Sequence, residues 1–295
     1  MARIGWVGVG KMGSRMTKRL LDAGHELYVM DVVRENCADI VAAGAEFVET
    51  AAALTAKVDF VFSMIPNSNV LEDVYLDKDG VVQEMASGKI AVDMSTVGAD
   101  ASAKVNAAIE KAGGKFIRAT VSGSTEYAEK GTLGSMVSGD AAAYEAVLPF
   151  LKVLSSRQYY LGENEEARMM KLIVNMMVAS SAHIMAECLV MGEALGMDWE
   201  KMVDVIADSA GASGIVKFKA ESYKKRDFTP MSNAIIMDKD LDLAMTLAKE
   251  NHVGLPMTSL TRQLYSSMVS SGKGELDYSA ILLVYEELNG IKHDK

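Results

Sequence analysis

Apolar positions recur along this chain in two different rhythms, and the change between them falls near residue 164. Upstream, short apolar runs rich in Val, Ile and Phe occupy residues 3–9, 28–30, 58–65, 89–94, 116–119 and 136–139, each ended by turn residues. Runs of that length and composition predict strands of a buried sheet. Helical spacing fills intervals between them, notably 14–21 and 141–154. From residue 165 the spacing is helical throughout, which predicts helices over 165–195, 199–209, 213–225, 238–251, 256–270 and 278–288. The expected class is therefore α/β, with an N-terminal sheet domain over 1–163 and an all-α domain over 164–295, and a long helix at the junction.

The first strand runs into Gly8-Val9-Gly10-Lys11-Met12-Gly13, then a helical pattern that stops at Gly24, then Tyr28-Val29-Met30 and Asp31. Strand, tight turn, helix, strand, acid is the order of a dinucleotide-binding βαβ unit, so residues 1–163 are expected to form a Rossmann dinucleotide-binding domain. Gly8 permits the turn, Gly10 lets backbone approach a pyrophosphate, and Gly13 lets helix pack close to strand. A carboxylate at Asp31 accepts hydrogen bonds from ribose hydroxyls. It would repel a 2′-phosphate by roughly 1 to 4 kcal/mol, so NAD is expected over NADP. Arg34 is close enough in sequence to soften that repulsion. Ligands of open parallel sheets sit at the carboxyl ends of strands, which adds Met64, Ile65, Pro66, Ser95 and Thr96 to the cofactor set. Ser95 and Thr96 could equally cap a helix beginning near Asp100. The strand at 116–119 is expected to leave through a hydroxyl-rich turn, Thr120-Val121-Ser122-Gly123-Ser124, whose backbone N–H groups could hold a carboxylate or simply close a loop.

Residues 169–179 read MMKLIVNMMVA, with Lys171 and Asn175 the only polar positions and four apart, on one helical stripe. A helix so apolar is expected to be buried, and a buried ammonium needs a polar partner. Lys171 either snorkels to the surface or is a functional amine.

Composition narrows the picture. The net charge of −10 and the absence of a basic run beyond residues 224–226 argue against a nucleic-acid partner. Four histidines without HExxH or HxH spacing predict no metal site. Apolar runs broken by charge or glycine short of a membrane span, with no leader pattern, suggest a cytoplasmic protein without a membrane partner. Cys37 and Cys188 lack pairing or ligand spacing and are expected to pack as small apolar side chains. An apolar helical half carrying many of the 21 methionines suggests a homodimer or homotetramer.

WVGVGKMGSRM, TVSGSTEYAEKGTL, MKLIVNMM and MDKDLDLAM, in that order, resemble the β-hydroxyacid dehydrogenase family, with 3-hydroxyisobutyrate dehydrogenases and glyoxylate/succinic semialdehyde reductases the most similar branches. The resemblance implies that Lys171 is catalytic, that Ser122 and Gly123 bind the substrate carboxylate and that Asn175 orients substrate. It further implies that Lys239 and Asp240 lie at a cofactor–substrate cleft between domains joined by the Lys171 helix. A partly desolvated lysine has a pKa lowered toward neutrality and can exchange the proton that accompanies hydride transfer. Arg118 stands where the family's DxPVSGG motif has its acid, Thr120 where it has proline, and the glycine-rich turn before the catalytic helix keeps only Gly162. Arg118 is expected to pair with a nearby acid. Ser232 and Asn233 replace an apolar wall, which suggests a more polar substrate. The alternatives are an NADPH-dependent glyoxylate/succinic semialdehyde reductase, supported by Ser122-Gly123-Ser124, and a non-catalytic dinucleotide-binding protein.

Overall fold

The computed structural model of the protein describes residues 1–293. Its first part alternates: β1 (Arg3–Val7), α1 (Gly13–Asp22), β2 (Glu26–Met30), α2 (Ala38–Ala42), β3 (Glu46–Phe47), α3 (Ala51–Lys57), β4 (Phe60–Ser63), α4 (Ser68–Leu76), β5 (Ile90–Asp93), α5 (Ala99–Lys111), β6 (Lys115–Ser122), α6 (Thr125–Lys130), β7 (Leu133–Gly139), α7 (Ala141–Leu154) and β8 (Ser155–Gly162). Helices follow: α8 (Glu166–Ala194), α9 (Trp199–Asp208), α10 (Gly214–Lys225), α11 (Ala234–Glu250), α12 (Pro256–Met268) and α13 (Ile281–Leu288).

The strands form one sheet in the order β3-β2-β1-β4-β5-β6-β7-β8, parallel except where β7 runs against β6. Alternation along each strand sends side chains to opposite faces. Ile4, Trp6, Phe62 and Val92 join one core, whereas Val7, Val61 and Ala91 join another. Strand order reverses between β1 and β4, which opens the crevice where such sheets take their ligands. The helical part packs a separate core around Ala182, Met185, Leu189, Val203, Leu241 and Ile281. The chain divides into compact units Met1–Lys171 and Leu172–Lys295, so the first turns of α8, with Lys171, belong to the sheet unit.

Several elements differ from the sequence reading. β6 runs to Ser122 because Thr120 and Val121 pair with Met136 and Ser135 of β7, which confines the expected turn to Gly123 and Ser124. β8 carries no apolar pattern and gave no signal; its residues are mostly solvent-facing, and pairing with β7 makes it a strand. α11 starts at Ala234, four residues early, because Asn233 caps it by accepting from the Ile236 N–H at 3.1 Å. α8 is not sheathed on all sides: Ile173, Met177, Ile184 and Met191 form an exposed apolar stripe, and Lys171 is half-buried. This helix is long and apolar enough, by length and composition, to cross a membrane, contrary to the expectation that no run reaches that length; half of its most apolar window is buried in the protein. Cys37 is buried as expected, but Cys188 is exposed.

Candidate active site

The glycine turn is built by steric demands that differ at each glycine. Gly8 sits at φ +90, where a Cβ would lie 2.3 Å from the Met64 carbonyl oxygen. A Cβ on Gly13 would lie 2.0 Å from the Gly8 carbonyl oxygen. On Gly10 a Cβ would meet nothing within 4 Å, so the protein leaves the space before that backbone open. The first turn of α1 carries neither a side-chain cap nor an acid, which suits its positive end to an anion. Trp6, just before the glycines, donates from Nε1 to the Gly8 carbonyl at 2.9 Å and braces the turn.

Asp31 closes the turn from the other side. Its Oδ2 accepts from the Val9 N–H at 2.7 Å, and its Oδ1 from the Val33 N–H at 2.9 Å and Asn36 Nδ2 at 3.1 Å. The carboxylate thus stands at the end of β2, held beside the glycine backbone. Arg34 is engaged elsewhere, its guanidinium over the Phe47 ring and 3.3 Å from Glu49. An open cradle at Gly10, an uncapped helix end and a fixed carboxylate fit a dinucleotide.

Met64, Ile65 and Pro66 follow β4, and Ser95 and Thr96 follow β5, all at carboxyl ends of strands beside the same crevice. Ser95 caps no helix; α5 begins after Gly98. Ser95 is fully buried, accepts from the Ile65 N–H at 2.9 Å and donates to Asp93 at 2.8 Å. Ser122 ends β6, and Gly123 stands at φ +130, where a Cβ would lie 2.8 Å from Leu133. Ser124 opens α6 without capping it, and its buried hydroxyl has no partner.

In the helical unit, Asn175 donates from Nδ2 to Asp240 Oδ2 at 2.6 Å, and Lys239 lies 2.8 Å from Asp240 Oδ1. Asn175 and Asp240 are both buried. Lys171 lies one turn before Asn175 on α8. Asn233, expected at a polar substrate wall, caps α11 through its Oδ1 and donates from Nδ2 to Glu275 at 3.0 Å. Arg118 pairs with Glu165, both nearly inaccessible.

Residues 3–162 match the model of the NAD-binding domain of 6-phosphogluconate dehydrogenase, and residues 166–285 match that of the NAD-binding domain of NADP-dependent 3-hydroxyisobutyrate dehydrogenase. The chain is 33% identical to glyoxylate/succinic semialdehyde reductase 1 of Arabidopsis thaliana, over 95% of this chain and 96% of that protein. It is 32% identical to 2-(hydroxymethyl)glutarate dehydrogenase of Eubacterium barkeri, over 98% and 96%. The chain belongs to the β-hydroxyacid dehydrogenase family. A solved 3-hydroxyisobutyrate dehydrogenase from Mycobacterium tuberculosis, with L-serine, superposes with a TM-score of 0.88 at 26% identity, covering 97% of this chain and 99% of that one. As a β-hydroxyacid dehydrogenase the protein is an oxidoreductase of the CH–OH group that uses NAD or NADP.

Two further buried ion pairs, one in each unit, escape sequence reasoning. Arg168 and Asp93, both essentially inaccessible, meet at 2.7 Å within the sheet unit. Lys219 and Asp277 meet at 2.8 Å in the helical unit, where Asp277 also accepts from the Met231 and Ser279 N–H groups. Lys219 is deeply buried, and its ammonium meets that carboxylate and the Tyr278 ring 5.1 Å away. A cluster of Glu193, Glu286 and His293 has the donor types of a metal site, but Glu286 already gives both oxygens to Arg226 at 2.7 Å.

Proposed function

We propose that this protein moves a hydride between NAD and a small 3-hydroxyacid or the matching aldehyde-acid, with Lys171 as the proton-exchanging group. The observation that carries the reading is the Lys171–Asn175 stripe of α8, with the Asn175 amide fixed by buried Asp240. The nicotinamide, when bound, supplies or receives the hydride. The protein supplies the rest. Lys171 gives a proton to the carbonyl oxygen during reduction and takes it from the hydroxyl during oxidation. Asn175 donates from Nδ2 to Asp240, which leaves its carbonyl oxygen to accept a hydrogen bond from a substrate hydroxyl or ammonium. Ser122 and the Gly123 backbone take the substrate carboxylate, and Lys239 lends positive charge near the Asn175–Asp240 pair.

Asp31 supports NAD over NADP. Fixed by three donors at the end of β2, it is placed to accept from ribose hydroxyls, and Arg34 lies against Glu49 and the Phe47 ring. An NADPH-preferring reductase of glyoxylate or succinic semialdehyde is the second reading, favoured by Ser122-Gly123-Ser124 and by the plant relative. Rates with NADH and NADPH separate the two. The same reading places the protein in the cytoplasm as a homo-oligomer, its exposed α8 stripe covered by a second copy and its net charge of −10 unsuited to nucleic acid.

Lys171→Ala tests the mechanism. Turnover should fall about 10²- to 10⁴-fold while NADH binding, read by fluorescence, is retained. Near-normal turnover would remove Lys171 from the chemistry.

A further inference from the structure

The sheet unit contains a buried polar network that the chemistry above does not use. Asp93, the last residue of β5, and Arg168, in the first turn of α8, are joined at 2.7 Å with no solvent access to either side chain. Arg168 also donates from Nη1 to the Ser95 carbonyl at 2.7 Å and from Nε to Ser102 Oγ at 3.2 Å. Asp93 accepts from the hydroxyls of Ser95 and Ser63, and Tyr75 lies 2.8 Å from Ser63. Ser95 in turn accepts from the Ile65 N–H at 2.9 Å. One guanidinium is therefore bonded, directly or through Ser95, to the loops after β4 and β5. It sits three residues before Lys171 on the same helix.

A packing role alone does not account for this arrangement. Burying an ion pair costs both partners their hydration, and apolar side chains of similar volume usually stabilise as well or better. What a guanidinium adds is direction: donors in a rigid fork fix the angle and depth of whatever carries them. Arg118 and Glu165 repeat the pattern from β6 to the residue preceding α8, so the start of this helix is tied by buried charge to two neighbouring strands.

We propose that Arg168 is a positioning residue for Lys171, setting the amine's place relative to the cofactor-side loops at Ile65 and Ser95. The role rests on the reading of Lys171 as the proton-exchanging group. A displacement of about 1 Å in a reacting group can cost on the order of 10²-fold in rate without weakening binding.

Arg168→Lys keeps the charge and loses the fork. Its kcat should drop by about 10- to 10²-fold, with KM for the hydroxyacid and the NADH dissociation constant each within about fivefold of wild type. In the Lys171→Ala background the same change should cost less than about threefold, because a residue acting through Lys171 has nothing left to place. The paired variant Asp93→Asn with Arg168→Met leaves no buried charge unmatched; it should melt near wild type yet show the same kcat loss. Near-normal kcat in Arg168→Lys, or losses that multiply in the double variant with Lys171→Ala, overturns the positioning role. If Lys171→Ala alone retains turnover, the catalytic assignment falls and the positioning role falls with it, whereas an inactive Lys171→Ala beside a fully active Arg168→Lys sinks only the latter.

Discussion

Gly10 and Gly13 stand in one turn and meet opposite conditions. A side chain at Gly13 would run into the Gly8 carbonyl, so Gly13→Ala should cost about 1 to 3 kcal/mol by forcing helix and strand apart, read as a lowered melting midpoint. At Gly10 the protein has room. Gly10→Ala should therefore melt like wild type while NAD affinity weakens about tenfold or more, because the added methyl occupies the space a pyrophosphate needs. If both variants lose only stability, the turn is a packing feature. Cys37 offers a second check at this scale. Burial, with the Asp31 carboxylate nearby, pushes its thiol up to about 11. The thiolate forms only near that pH, so in native protein Cys37 should resist a disulfide reagent at pH 8 and react once the chain is unfolded. Peptide mapping of the label distinguishes it from exposed Cys188.

At the scale of elements, caps fix boundaries that periodicity leaves loose. Asp140 opens α7 by accepting from the Ala143 N–H at 2.9 Å and meets Lys115 at 2.9 Å. The Lys115 hydrogen bond first, then the Ala143 N–H, holds its carboxyl below the usual value of 3.8. A depressed carboxylate contributes stability above its unfolded pKa and loses it as pH falls through the lower folded value. Asp140→Ala should therefore cost about 1 kcal/mol near neutrality, and the gap from wild type should begin to narrow below about pH 4. Denaturant titrations at pH 7 and pH 3 read the change; a gap as wide at pH 3 as at pH 7 would show that packing, not the charged cap, is lost. Asn233 teaches the same lesson. As sequence it suggested a polar substrate wall; as structure it starts α11.

At the scale of the whole molecule, the exposed stripe of α8 is the surface left to explain. Ile184 and Met191, 52% and 61% exposed, line an apolar groove of about 690 Å³ with Met197, Met202 and Val205. If the stripe is the contact of the homo-oligomer proposed above, Ile184→Glu with Met191→Glu should lower the mass read by light scattering while leaving the circular dichroism unchanged. An unaltered mass would place the subunit contact elsewhere.

The α/β-then-helical plan and the glycine turn with Asp31 were legible in the sequence because each is a local matter of spacing or residue type, whereas Ser122, Asn175 and Lys239 were singled out through the family resemblance of the ordered motifs. β8, the depth of Lys171 and the true length of β6 were not, since strand pairing and burial depend on residues far away in the chain. The partners of Arg118 and Arg168 lie 47 and 75 positions away, at Glu165 and Asp93. Charge and hydropathy mark such arginines as surface residues; only folding supplies the carboxylates that make their burial possible.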